Sequence, residues 1–114
     1  MDMEDKKLTI LLETILDKKG ENVVYIDVSQ NNPLARYFII ATVASNRQAI
    51  AMGQALKEAC EIHDIVIRNV EGKSSSDWIL VDANDYIIHI FTKEARIHYG
   101  LEKLWANYPI MKVD

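Results

Sequence analysis

The side chains equipped for chemistry are few: His63, His89 and His98, with a scatter of carboxylates. His98 and Glu102 stand four apart, which on a helix puts two metal ligands on one face. Two ligands specify little, and the same spacing describes an ordinary exposed helix pair. His89 falls inside a run that reads as a strand, where a hydrogen-bonded structural or contact role suits it better than general-base work. Asp27, Asp82 and Asp85 are the candidate carboxylates. Acid–base catalysis needs two carboxyls held around one substrate, and Asp82 and Asp85 instead flank a turn, where Asp bonds its own backbone. Ser74-Ser75-Ser76 lacks the glycines of a nucleophile elbow. Gly72-Lys73-Ser74 imitates the end of a phosphate loop, but Ile67 stands where the upstream glycine belongs. No catalytic residue, metal site or cofactor is expected.

Charge points the same way. Lys and Arg number 13 against 17 Asp and Glu, for a net charge of −4. The basic residues are spread along the chain (Arg36, Arg47, Arg68, Lys73, Arg96) and form no basic stripe, which disfavours nucleic acid as the main contact. Cys60 is the only cysteine, so no disulfide within the chain and no cysteine zinc site can form. The acidic start, Met1 to Asp5, is unlike a secretory signal, and no apolar run approaches the roughly twenty residues of a membrane span. A cytoplasmic protein with no membrane partner is the expectation.

Those candidate residues need elements to hold them. Leu8, Leu11, Leu12, Ile15 and Leu16 predict a helix from about Met3 to Lys19, with Gly20 as its stop. Val23–Val28 and Tyr37–Val43 read as strands, joined by a polar turn at Ser29-Gln30-Asn31-Asn32-Pro33. Ser45 and Gln48 form a capping box for a second helix, with Ala49, Met52, Gly53, Leu56, Ala59 and Cys60 facing inward. Ile65 to Val70 alternates as a third strand, and Glu71 to Ser76 reads as a loop. Trp78–Asp82 and Tyr86–Thr92 form a hairpin turning at Asn84-Asp85. The last helix starts near Thr92 or Lys93, carries a stripe of Ile97, Leu101, Leu104 and Trp105, and ends before Pro109. The order α-β-β-α-β-β-β-α implies one α/β (α+β) domain over residues 1–114, a mixed sheet of about five strands packed with helices.

The hairpin is the most informative segment. A turn at Asn84-Asp85 pairs Ala83 with Tyr86, Leu80 with His89 and Trp78 with Phe91. Ile79, Val81, Ile88 and Ile90 then make a plain core face. Trp78, Leu80, Asp82, Ile87, His89 and Phe91 make a mixed face of the kind partner-binding surfaces show. Spacing alone leaves open whether that face meets a partner or lies under the protein's own helices.

Taken together these segments resemble the ribosomal silencing factor (Iojap-related) family. The resemblance lies in Glu71-Gly72, the strand Trp78-x-Leu80-x-Asp82, the strand from Asp85 through His89 to Phe91, and the run Arg96-x-x-Tyr99-x-Leu101-Glu102-x-Leu104-Trp105. Upstream, Asp27-Val28, Tyr37 to Thr42 and Ser45 to Gln48 match as well. Arg36, Asn84 and Gly100 depart from the family's usual acidic residue, turn glycine and aspartate.

The resemblance implies a nucleotidyltransferase-like fold without its catalytic residues: the chain has no Gly-Ser turn leading to a paired acidic motif. It implies a non-enzymatic translational repressor that binds the large ribosomal subunit through ribosomal protein fourteen (uL14) and blocks joining of the small subunit, mainly under nutrient limitation. No direct DNA contact and little or no rRNA contact are expected, and the resemblance admits a homodimer. The implied contact residues are Gly72, Trp78, Leu80, Asp82, Asp85, His89 and Tyr99. Alternatives are a large-subunit assembly factor using the same surface, or a nucleotidyltransferase-like enzyme.

Overall fold

The computed structural model describes residues 5–30, 35–72 and 77–113. Met3, the turn residues Asn31, Asn32 and Pro33, Lys73 and the serines 74–76 lie outside them.

The first helix, α1, runs Lys6–Asp17. Asp5 caps it, accepting from the Leu8 amide at 2.9 Å, and also accepts from the Tyr86 hydroxyl at 2.8 Å. Leu8, Leu11, Leu12 and Ile15 are buried, whereas Leu16 is at the surface. The helix closes in a Schellman motif: the Gly20 amide donates to the Ile15 carbonyl at 2.9 Å and the Lys19 amide to the Leu16 carbonyl at 3.0 Å. The left-handed residue is Lys19 (φ 67°), not the expected Gly20. Glycine is required at position 20 for space, since a Cβ there would lie 2.6 Å from Ile15 Cγ2.

Strand β1 (Glu21–Asp27) turns back antiparallel to β2 (Tyr37–Val43). Helix α2 (Asn46–Ile62) follows, and Ser45 caps it as expected, accepting from the Gln48 amide at 3.2 Å. Gln48 goes further than a capping box. Its Oε1 accepts from the Ala44 amide at 2.7 Å, and its Nε2 donates to the carbonyls of Lys18 and Lys19 at 3.1 and 3.2 Å, tying the end of α1 to the start of α2. Ala49, Met52, Gly53, Leu56 and Cys60 are buried on its inner face; Ala59 is only half-buried.

Three strands come next: β3 (Asn69–Glu71), β4 (Trp78–Ala83) and β5 (Tyr86–Thr92). The expected strand from Ile65 is therefore confined to residues 69–71. Its partner explains why. Asn69 pairs with Asp82 and the Arg68 amide still donates to the Asp82 carbonyl, but residues before Arg68 would have to pair with the Asn84-Asp85 turn, which offers no ladder. Ile65 is still buried, but as a packed loop residue.

Helix α3 (Lys93–Tyr99), capped by Thr92, stops at Gly100, which takes the left-handed conformation (φ 55°); the single turn of α4 (Leu101–Leu104) follows it. The predicted single stripe is thereby split. Ile97 and Leu104 are 78% and 74% exposed, while Leu101 and Trp105 pack inward. A sixth strand, β6 (Ile110–Lys112), which the sequence reading did not anticipate, pairs antiparallel with β1.

The sheet order is β3-β4-β5-β2-β1-β6, with β2 parallel to β5 and every other pair antiparallel. On one face α1 and α2 seal the main core, including Leu11, Ile39, Met52, Leu56, Val81, Ile88 and Ile90. Each such side chain contributes about 1.5–3 kcal/mol by leaving water. The other face carries a smaller cluster around Ile26, Ile40 and Phe91, partly covered by Trp105, Tyr108 and α3. The main core is thus built without the second face, which leaves that face available for function.

Candidate functional site

The β4–β5 hairpin has the expected register: Trp78 opposite Phe91, Leu80 opposite His89, Ala83 opposite Tyr86. Asn84 takes the left-handed turn conformation (φ 67°), and the Asp82 carboxylate accepts from its amide at 3.1 Å. Strand alternation then places Trp78, Leu80 and Asp82 with Ile87, His89 and Phe91 on the second face of the sheet. Phe91 and His89 are buried at its base; Trp78, Leu80, Asp82 and Ile87 are half-buried above them.

His89 is 5% exposed, so its expected place as a surface contact is corrected to one beneath the surface. Its Nδ1 accepts from the indole N–H of Trp78 at 3.1 Å, which assigns the ring proton to Nε2. Burial pushes the His89 pKa down to about 4, so the ring is neutral at pH 7. Phe38 packs edge-on to the imidazole at 5.5 Å and Phe91 stacks on it at 6.1 Å. The imidazole is a wedge that fixes the indole's orientation.

Tyr99, 52% exposed, arrives from the end of α3 and lies 4.7 Å from the Trp78 ring. From the other side comes Gly72, whose φ of +90° and closeness to β4 both demand glycine; a Cβ there would lie 2.4 Å from the Trp78 carbonyl oxygen. Gly72, Trp78, Leu80 and Tyr99, with Glu71 and Asp77, line an open groove of about 520 Å³. Glu71 accepts from the Asn69 side chain at 3.0 Å and Asp77 from the Asn46 side chain at 2.9 Å, which hold the two carboxylates in place.

Four of the seven expected residues therefore share one groove. Asp82 continues the same face along β4, and Asp85 sits exposed in the turn at the far end, its carbonyl accepting from the Arg36 and Tyr37 amides. Glu71 and Asp77 were not singled out as site residues. Their signal was present: each brackets the loop that delivers Gly72 and Trp78.

The side chains whose types suit catalysis or metal binding are engaged elsewhere. Glu102 is held by Arg96 through two bonds of 2.9 and 3.2 Å, and Gly100 breaks the helix between His98 and Glu102. Asp27 accepts from the Ser29 hydroxyl and amide, which keep its pKa below the usual carboxylate value. Among the described residues no three His, Cys, Asp or Glu side chains cluster as a metal site.

A family model described as "Ribosomal silencing factor during starvation" matches residues 2–114. The chain belongs to the ribosomal silencing factor family. A ribosomal silencing factor of Halalkalibacterium halodurans is 32% identical over 107 residues, covering 94% of this chain and 92% of the relative. A solved structure of a Chromobacterium violaceum protein superposes with a TM-score of 0.85 at 30% identity, covering 93% of this chain and 88% of that one. A mouse protein named for mitochondrial assembly of the ribosomal large subunit is 29% identical over 87% of this chain but only 45% of its own length. Membership in the silencing factor family sets the chain among regulators of the ribosome and not among enzymes.

Proposed function

We propose that this chain represses translation by binding the large ribosomal subunit through ribosomal protein fourteen and standing where the small subunit must join. The observation that carries the reading is the half-open aromatic groove on β4, in a chain that matches the silencing factor family along its length. Trp78, Leu80 and Tyr99 offer apolar area that a partner can desolvate. Glu71, Asp77 and Asp82 offer acceptors for Lys and Arg of a basic ribosomal protein, with Asp85 extending the acidic rim. The chain's net charge of −4 speeds such an encounter. Gly72 lets its loop approach β4 closely, and His89 acts from below by holding the indole. The principal contact is protein, and the setting is the cytoplasm, where the subunits meet.

Leu80→Lys tests the face with little risk to the fold, because Leu80 is half-buried and lies opposite Glu71, while the new cation would face a basic partner. An unpaired charge in a buried contact costs about 3 kcal/mol or more, so co-sedimentation with purified large subunits should weaken on the order of 100-fold. Unchanged co-sedimentation would show that the partner docks elsewhere.

The name of the mouse relative favours a second reading, in which the same surface serves large-subunit assembly. Joining of purified, mature subunits separates the two. A repressor slows joining in proportion to its occupancy; an assembly factor need not.

A further inference from the structure

The basic residues that look scattered in the sequence are gathered by the fold. Lys93 and Arg96 on α3, Lys103 on α4 and Lys112 on β6 all line one open groove of about 820 Å³, which also includes Ile97 and Glu102. Arg96 is spent within it: besides its two bonds to Glu102 it donates to the Asn22 carbonyl and to the Thr42 hydroxyl at 2.8 Å. Glu102 is the groove's one acidic lining residue among those described, and Arg96 neutralises it. Three exposed lysines remain, none in an ion pair among the described residues, on a chain whose net charge is −4.

We infer that this groove receives the phosphate backbone of a ribosomal RNA strand, as a second contact beside the protein-binding groove. The inference rests on the large-subunit docking proposed above. Its shape favours a strand over a small phosphorylated molecule. Small-molecule sites converge a few rigid, largely buried polar groups on the ligand. Here the cations stand on long solvated stems around an open trough, which suits neutralisation of successive phosphates with counterion release. Ile97, 78% exposed on the trough wall, gives an apolar surface for a ribose to lie against. One short helix bears both sites: Tyr99 lines the Trp78 groove, and Lys93, Arg96 and Ile97 line this one. A docked chain would thus hold a protein on one flank of α3 and RNA on the other.

The test compares wild type with a triple variant, Lys93→Ala, Lys103→Ala and Lys112→Ala, in binding to purified large subunits across a monovalent salt series at fixed magnesium. A control triple variant, Lys6→Ala, Lys7→Ala and Lys57→Ala, removes the same charge from exposed positions on the helices of the opposite sheet face. Each lost phosphate contact lowers the slope of log affinity against log salt by about 0.7–0.9, so the groove variant should lose about two to three from its slope. The control variant should keep the wild-type slope, and both variants should bind isolated ribosomal protein fourteen as wild type does. Equal slopes for wild type and the groove variant overturn the RNA contact alone. Weakened binding of the groove variant to the isolated protein reassigns the groove to protein docking. Failure of wild type to bind large subunits at all overturns both this contact and the docking on which it rests.

Discussion

Trp78 owes its orientation to a neighbour that must stay uncharged. The indole N–H donates to His89 Nδ1, and only a neutral imidazole can accept there. Because burial holds the folded pKa near 4, below the roughly 6.5 of an unfolded histidine, the stabilising effect is complete above about pH 6.5 and is lost as pH falls toward 4. The upper bound is about 3 kcal/mol over that window. Thermal unfolding from pH 7 to pH 4 should show the decline. His89→Gln, which keeps an acceptor but cannot titrate there, should flatten it. Gly72 is the other constrained residue. Gly72→Ala forces a Cβ against the Trp78 carbonyl at a backbone angle that L residues avoid. A loss on the order of 2 kcal/mol is expected, read as a lower urea midpoint.

At the level of elements, Arg96 is the clasp that holds the α3–α4 corner to β1 and β2 through Asn22, Thr42 and Glu102. Arg96→Ala should raise amide exchange in residues 93–112 well before it affects α1 and α2, whose cores are separate. This corner is also where the sequence is hardest to read. Ile97, Leu101, Leu104 and Trp105 have helical spacing, but periodicity does not register that one glycine reverses the backbone's handedness at position 100. The short β6 was hidden behind Pro109, which signals a helix end and says nothing of a strand after it. The hairpin was legible because alternation, the Asn84 turn and the aromatic pairs all demand one register. That made Trp78, Leu80 and Asp82 readable as one face. The burial of His89 was not readable, since it depends on Phe38 from a strand far off in sequence. The basic trough escaped for the same reason: its lysines meet only through α3, α4 and β6 together.

Across the whole molecule, one face of the sheet is sealed and the other carries both tryptophans, Trp78 and Trp105. Tryptophan fluorescence, excited selectively, therefore reports on the proposed docking side alone. In Trp105→Phe the emission comes from Trp78, half-buried in the free protein, and it should move to shorter wavelength when isolated ribosomal protein fourteen is added. An unmoved spectrum at saturating partner would place Trp78 outside the contact. The parallel pairing of β2 with β5 has a further consequence, for how the protein is made. The two strands at the centre of the sheet lie some fifty residues apart, so a nascent chain cannot close its middle until Thr92 has left the exit tunnel. The groove residues contributed by β4 and α3 are assembled only at that late stage. On the docking proposed above, a partly synthesised copy would lack the face that meets the ribosome.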